Sequence, residues 1–189
     1  MNAKQSAAAI EEKFGEAVKE TVEFRGESTL SVELGSLHEI LSHCKAQLGF
    51  DYLIDISSLD HLGEEPRFEM VYELYSYEHG THLRIRSGVD ASEREVPTVT
   101  DLWATANWHE REVYDMMGIS FKDHPDLRRI LMWEGFPFYP LRKDFPLAGK
   151  PSEMPDVAFS DAAPLAGGPF VTSPDGKDTV TREPRSRES

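Results

Sequence analysis

The chain has 189 residues and a formal net charge of −14. This acidity argues against nucleic-acid binding, because a phosphate backbone requires a positively charged protein face. No apolar run approaches the about 20 residues that a helix needs to cross a bilayer, so no direct membrane insertion is expected. A single cysteine, Cys44, excludes an internal disulfide and any iron–sulfur or Cys-rich zinc site held by this chain alone.

The N-terminal part of the chain shows helix and strand patterns in alternation. Apolar residues at helical spacing predict a first helix over residues 7–20. Alternation over residues 29–34 predicts a strand, and Ser36 follows as an N-cap, with Glu39 completing a capping box. The helix that begins there is expected to stop at Gly49, since glycine readily adopts the left-handed conformation of a helix end.

Three strand-like runs come next, over residues 52–59, 68–77 and 82–89. A further helix is predicted over residues 101–117, with Gly118 as its stop signal. Helices and antiparallel-leaning strands in this order predict an α+β fold. We expect a two-layer sandwich of four to five mainly antiparallel strands with two to three helices, followed by an extended C-terminal tail.

The last 40 residues differ in composition from the rest, because they hold six of the 12 prolines and few large apolar side chains. Such a segment cannot bury enough apolar surface to offset the entropy of ordering it, so an extended tail is expected. We therefore divide the chain into an α+β domain over residues 1–125 and an irregular, proline-rich partner-binding segment with the C-terminal tail over residues 126–189.

The stretch from His109 to Val113 begins like the helical zinc motif HExxH. Val113 stands where the second histidine ligand would be. A neighbouring residue cannot replace that ligand, because only positions about one turn apart share a helix face. The sequence therefore predicts no metal site on this helix.

Three carboxylates, Glu110, Glu112 and Asp115, cluster on the same predicted helix. A catalytic acid and base would require two of them to converge on a pocket. Arg111 and Asp115, however, are four residues apart, which is the ordinary spacing of an ion pair that braces a helix surface. No catalytic site is predicted, and the alternative is a free-standing enzyme that uses Glu110, Glu112 or His124 as its acid or base.

Residues 108–146 combine large aromatic side chains with arginines, which is the composition of interface anchors. The aromatic residues are Trp108, Tyr114, Phe121, Trp133, Phe136, Phe138, Tyr139 and Phe145. After Gly118, a regular helix or central strand is excluded by four prolines, Pro125, Pro137, Pro140 and Pro146. An irregular segment this apolar cannot remain in water as a free loop, so it must wrap over its own domain, lie on another protein, or do both in part.

Within this stretch, residues of mixed types follow one another as an ordered motif. They are Glu110, Arg111, Glu112, Tyr114, Asp115, Gly118, His124, Pro125, Arg128, Arg129, Arg142, Lys143, Asp144, Phe145 and Pro146. The motif resembles the signature of the C-subunit (30 kDa subunit) family of respiratory complex I. The resemblance is sharp over residues 103–149 and looser over residues 30–100, where the order of elements is similar to the family's α+β domain.

The resemblance implies a structural subunit of the peripheral arm of a proton-translocating NADH:quinone oxidoreductase, with no catalytic site or cofactor of its own. FMN, iron–sulfur clusters and quinone are expected elsewhere in the complex. The implied partners are chiefly the D subunit, which resembles the large subunit of nickel–iron hydrogenase, and also the B subunit and others of the peripheral arm. The complex would hold the chain, as a peripheral membrane protein, at the cytoplasmic face of the bacterial inner membrane. The equivalent subunit of a related membrane-bound hydrogenase complex is the alternative that the motif leaves open.

Two arrangements of the motif charges are open. In one, Arg111 and Asp115 brace the helix, and Glu110 and Glu112 reach the two arginines that follow the turn. In the other, cationic residues pair with carboxylates of a partner, because arginine suits a planar, two-pronged acceptor. The cationic residues in question are Arg128, Arg129, Arg142 and Lys143.

Overall fold

Three α-helices and seven strands make up the part of the chain that the computed structural model describes, residues 1–92, 94–133 and 135–146. The helices are α1 (Ala3–Phe14), α2 (Leu37–Ala46) and α3 (Ala106–Met117). The strands are β1 (Val18–Phe24), β2 (Glu27–Val32), β3 (Tyr52–Asp60), β4 (Phe68–Ser76), β5 (Thr81–Val89), β6 (Glu95–Pro97) and β7 (Ser120–Lys122). Met1–Lys143 form one compact unit. The second unit, Asp144–Ser189, is described only over its first three residues, so most of the predicted tail lies outside the described residues.

Five strands form a mixed sheet in the order β1-β2-β5-β4-β3. Neighbouring strands are antiparallel except β2 and β5, which run parallel. Leu30, Ile85, Tyr72 and Ile56 occupy paired positions on four of these strands, and all four are buried. Because side chains alternate along a strand, this row marks the core face of the sheet. The other face carries half-buried ion pairs such as those of Arg84.

The helices complete the core on the buried face of the sheet. Helix α1 packs on β1, β2 and β5, and helix α3 packs on β3. Ile10 of α1 and Cys44 of α2 are fully buried in the same apolar cluster as the sheet residues. Strands β6 and β7 form a separate parallel pair. A helical layer on a mainly antiparallel sheet confirms the predicted α+β fold class.

The first helix differs from the prediction at both ends. It begins after Asn2, whose side chain forms a reciprocal capping box with Gln5, and it ends at Gly15. The predicted bounds of 7–20 are therefore wrong, and Val18–Phe24 form the edge strand β1. This strand has no fully buried residue, so its sequence lacks the alternation on which strand prediction relies.

Helix α2 follows Ser36, as predicted, but the Ser36 side chain caps no backbone group. A short 3₁₀ turn, Leu34–Ser36, leads directly into the helix and gives Ser36 a helical backbone conformation. An N-cap side chain reaches the helix only from an extended backbone, so the predicted capping box with Glu39 is wrong.

The third helix is shorter than predicted at its start and ends where predicted. Turns carry the chain over residues 100–105, and α3 begins at Ala106 rather than at residue 101. At its end, Gly118 has φ of 69° and ψ of 34°, the left-handed conformation of a helix stop. Its N–H donates to the carbonyl of Tyr114 at 2.9 Å.

Candidate interaction site on helix α3 and the segment after it

Asp115, in the last turn of α3, holds the segment that follows the helix. Its Oδ2 accepts hydrogen bonds from three successive backbone N–H groups, those of Ile130, Leu131 and Met132, at 3.0, 2.6 and 2.9 Å. Its Oδ1 accepts from the guanidinium of Arg129 at 2.6 Å. Burial raises the pKa of Asp115, but these hydrogen bonds outweigh burial and hold the pKa below its usual value. The buried carboxylate therefore stays ionised.

Arg129 extends this contact into the proline-broken segment. Its Nη1 also donates to the backbone carbonyl of Asp115 at 2.8 Å, and its Nη2 donates to the carbonyl of Phe138 at 3.1 Å. The guanidinium lies 5.7 Å from the ring centre of Phe136 and 5.1 Å from that of Tyr139. Arg129 thus makes its contacts inside the chain, and its side chain is only 14% exposed.

A second arginine, Arg142, closes the C-terminal end of α3. Its guanidinium donates to the carbonyls of Met117 at 2.6 Å and Gly118 at 3.3 Å, groups that a helix end leaves unpaired. It also lies 4.3 Å from the ring centre of Tyr139. A Cβ on Gly118 would lie 2.4 Å from this guanidinium and 2.6 Å from the Tyr139 ring. The left-handed backbone and this close approach both require glycine.

The segment is attached at a third point, the end of strand β3. The backbone N–H of Lys143 donates to Oδ2 of Asp60 at 2.8 Å. Arg67 holds both oxygens of Asp60, at 2.8 and 2.9 Å, and its hydrogen bonds lower the pKa of that carboxyl. Sequence reasoning misses Asp60, because an isolated acid at a strand end is usually a solvated turn residue.

Glu110, in the first half of α3, is fully buried and faces the chain that enters the helix. Its carboxylate accepts hydrogen bonds from the Val99 N–H at 2.7 Å and the Thr98 hydroxyl at 2.5 Å. Burial raises the pKa of Glu110 to about 7, although these two hydrogen bonds act in the opposite direction. Glu110 therefore ties α3 to the chain that leaves β6.

The side chain of His124 is fully buried, and both ring nitrogens are engaged. Nδ1 accepts the N–H of Asp126 at 3.0 Å, which leaves the proton of the neutral ring on Nε2. Nε2 then donates to the carbonyl of Asn107 at 3.3 Å and lies 3.9 Å from Oε2 of Glu110. Burial lowers the pKa of His124, which agrees with a neutral ring that anchors the turn after β7.

A cleft of about 640 Å³ opens beside α3. Its lining residues are Trp108, Arg111, Tyr114, Leu127, Arg128, Arg129, Ile130 and Gly135. Arg111, one of these lining residues, is 7% exposed, and its guanidinium lies 4.9 Å from the ring centre of Trp108. Trp108 is itself 62% exposed. The side chain of Arg128 is 71% exposed and pairs with Asp126 at 2.9 Å. The cleft thus joins aromatic surface to positive charge.

The structure corrects two expectations about the motif charges. Asp115 pairs with Arg129, and Arg111 donates to a backbone carbonyl instead, so the predicted pair of Arg111 with Asp115 is wrong. The predicted reach of Glu110 and Glu112 to the later arginines is also wrong. Glu110 bonds to the chain before the helix, and Glu112 is exposed. A buried carboxylate accepts hydrogen bonds from the donors that the tertiary fold places beside it, rather than from a charged residue one turn away on the same helix.

The remaining motif residues are placed as follows. Pro125 is exposed, and Tyr114 is half-buried at the cleft. Asp144, Phe145 and Pro146 belong to the second unit of the chain. An interface role for the motif stays a prediction, as does the division of the chain after residue 125.

Among residues 1–92, 94–133 and 135–146, no group of three His, Cys, Asp or Glu side chains is arranged to hold a metal ion. His109, which opens the zinc-like stretch, pairs instead with Asp55, at 3.1 Å between Nδ1 and Oδ1. Within the same ranges, no helix combines the length and the apolar character needed to span a membrane.

Comparison with known proteins gives a consistent result for the family. The family model described as "Respiratory-chain NADH dehydrogenase, 30 Kd subunit" matches residues 30–151. The chain is 44% identical over 144 residues to the NADH-quinone oxidoreductase C subunit of Geotalea uraniireducens, an alignment that covers 76% of this chain and 88% of that protein.

Two solved structures share the fold. The trypsin-resistant fragment of Nqo5 matches with a TM-score of 0.58 and 36% identity, over 64% of this chain and 98% of the fragment. A chain of the membrane-bound sulfane sulfur reductase, an archaeal respiratory membrane complex, matches with a TM-score of 0.66 and 25% identity, over 76% of this chain and 85% of that one.

The fold, the signature and these relatives define a subunit of a respiratory oxidoreductase. The chain belongs to the family of the 30 kDa subunit of respiratory-chain NADH dehydrogenase. The resemblance predicted from the motif is confirmed. The relatives of this chain are C subunits of NADH-quinone oxidoreductase, a complex that catalyses electron transfer from NADH to quinone.

Proposed function

We propose that the chain is a structural subunit of the peripheral arm of a proton-translocating NADH:quinone oxidoreductase. In that arm it docks against the D subunit, contacts the B subunit, and supports electron transfer from NADH to quinone without taking part in the chemistry. FMN, the iron–sulfur clusters and the quinone site belong to other subunits. The complex holds the chain at the cytoplasmic face of the bacterial inner membrane.

The observation that carries this proposal is that charged residues of the signature make their hydrogen bonds within the chain. Asp115, Arg129 and Arg142 make their hydrogen bonds within the chain, where they hold the aromatic segment after α3 against the end of the helix. Fixing a segment before association lowers the entropy cost of binding. This arrangement suits a protein that presents a defined surface, whereas an acid–base enzyme that used these groups would need some of them to face a substrate.

A free-standing acid–base enzyme is supported less well. Both carboxylate oxygens of Glu110 accept hydrogen bonds within the chain, and both ring nitrogens of His124 are engaged. Glu112 is exposed on the helix surface. The cleft beside α3 is lined by none of these three residues, although a catalytic acid or base must reach its substrate.

The equivalent subunit of a related membrane complex, such as a membrane-bound hydrogenase, is the second candidate. It is favoured by one observation, the shared fold with a chain of the archaeal sulfane sulfur reductase at 25% identity. The identity to the C subunit of an NADH-quinone oxidoreductase is higher, at 44% over 144 residues. We therefore rank the NADH:quinone oxidoreductase first.

The test is affinity purification of the tagged full-length chain from native membranes extracted in mild detergent, with an untagged strain in parallel. We expect recovery of homologues of the D and B subunits together with the flavin-bearing subunits that oxidise NADH. A hydrogenase large subunit with its nickel ligands, in place of the flavin-bearing subunits, would favour the second candidate. Recovery of a lone monomer would contradict both. Substrate turnover by the isolated chain, lost on Glu112→Gln, would support the enzyme instead.

A further inference from the structure

Arg111 is a buried cation without a carboxylate in the described part of the chain. It is 7% exposed, and its one hydrogen bond there runs from Nε to the carbonyl of Arg128 at 3.2 Å. Arg67, which is also largely buried, holds both oxygens of Asp60. Arg129 likewise holds Asp115. A guanidinium withdrawn from water without a counter-charge carries a desolvation cost that a carboxylate would offset.

Arg111 lines the cleft beside α3, and its two terminal nitrogens have no acceptor among the described residues. Around it stand the exposed indole of Trp108 and the apolar side chains of Leu127 and Ile130. Arg128 adds a second positive charge. A ligand that fits this lining carries a carboxylate flanked by an apolar side chain.

We propose that the cleft binds a carboxylate-bearing segment of a neighbouring subunit, with the carboxylate across the terminal nitrogens of Arg111 and an apolar side chain against Trp108. The guanidinium fork matches a carboxylate in plane and spacing, so the contact is two-pronged. The inference rests on the proposed function, because it assigns the surface through which the chain docks. In a chain of net charge −14, this local positive site gives an acidic partner a defined place to attach.

A zero-length cross-link tests the carboxylate directly, in the assembled complex from native membranes. Carbodiimide couples an amine to a carboxylate in contact with it, so Arg111→Lys supplies the reactive amine in the cleft lining. We expect a cross-linked peptide that joins position 111 to an Asp or Glu of another subunit. The matched control is Arg84→Lys, which should couple within the chain to Glu73, its ion-pair partner on the open sheet face.

A second measurement compares retention in the complex. Arg111→Gln and Trp108→Ala should each lower the fraction of the chain retained after detergent extraction by about tenfold, because a desolvated charge or an anchoring ring is lost. Arg84→Gln should leave retention unchanged. Trp108 is 62% exposed, so its replacement leaves the melting temperature of the isolated chain nearly unchanged and separates docking from folding.

The outcomes distinguish the inference from the function on which it rests. If the chain co-purifies with its subunits but position 111 couples to nothing, or only to carboxylates of its own chain, the inference is overturned and the proposed function stands. Unchanged retention of both cleft variants would also overturn it. If the unmodified chain does not co-purify with other subunits, the proposed function itself fails.

Discussion

Asp115 and Arg129, fourteen residues apart in sequence, form the contact on which the segment after α3 is built. One nitrogen of the guanidinium donates both to the carboxylate at 2.6 Å and to the backbone carbonyl of Asp115 at 2.8 Å. The Asp115 side chain is fully buried and that of Arg129 is 14% exposed. Removing one partner would leave the other charge buried without compensation, which costs about 3–5 kcal/mol in such pairs.

We therefore expect Asp115→Asn to lower the free energy of unfolding by about 3 kcal/mol. The amide cannot balance the charge of Arg129, and its NH2 group competes with the N–H donors of the loop. Urea denaturation of the purified full-length chain measures the change. The control is Asp126→Asn, which breaks an exposed ion pair and should cost no more than about 0.5 kcal/mol. Equal losses in the two variants would contradict this role for Asp115.

Gly118→Ala should destabilise the chain by about 2 kcal/mol or more. The left-handed backbone alone costs about 1 kcal/mol with a side chain, and the new methyl group would displace Tyr139 and Arg142 from the end of α3. Gly35→Ala is the matched control, since a Cβ there meets nothing within 4 Å and its φ is not positive. Thermal melts of both variants decide the matter, and similar melting temperatures would refute the close packing at Gly118.

Much of the sandwich can be predicted from the sequence, because a strand that is buried on one face has apolar residues at every second position. Strand β4 is an example, in which Phe68, Met70, Tyr72 and Leu74 are all buried on one face and Glu69, Val71, Glu73 and Tyr75 alternate with them. The edge strand β1 leaves no such trace, since none of its residues is fully buried. Apolar residues keep a helical spacing as far as Val18, beyond the actual end of the helix. Only Gly15 signals that end in the sequence.

The pairing of charges at the site could not be predicted in the same way. Sequence spacing favours Arg111 as the partner of Asp115, because it lies one helical turn away. The actual partner, Arg129, is brought in by an irregular segment whose path depends on several tertiary contacts, including the one between Arg142 and the end of α3. Local sequence patterns predict helices and strands, but they do not predict which part of the domain a proline-broken segment packs against.

Cys44 should be inert in the folded chain. Burial raises the pKa of its thiol to about 12, and the side chain is fully enclosed in the core between α2 and the sheet. We expect no reaction with an aromatic disulfide reagent at pH 8 until urea unfolds the chain, when one thiol reacts. Ser92→Cys introduces an exposed thiol as a control, which should react at once. Rapid labelling of the unmodified folded chain would show that α2 does not seal the core.

Glu110 gives the fold a pH dependence whose sign is fixed by its raised pKa. The pKa is about 7 in the folded chain, against an ordinary value of 4.5. Between pH 4.5 and about pH 7, the folded state therefore keeps a proton on Glu110 that the unfolded state has lost. Its contribution to stability is fully present below the ordinary pKa and is lost as the pH rises through about 7.

Glu110→Gln removes this dependence, because the amide is neutral at every pH and keeps a carbonyl for the Val99 N–H. At pH 4, below the ordinary pKa, the variant and the original chain should be about equally stable. At pH 8 the variant should be more stable by about 3 kcal/mol, because the pKa of Glu110 is about 7 in the folded chain and 4.5 ordinarily. Urea denaturation across this range gives the difference, and the neighbouring His124 is common to both proteins. Glu112→Gln, on the exposed face of the same helix, should show no such trend. A difference between Glu110→Gln and the original chain that stayed constant with pH would mean that Glu110 is already ionised in the fold, with its charge stabilised by Thr98 and Val99.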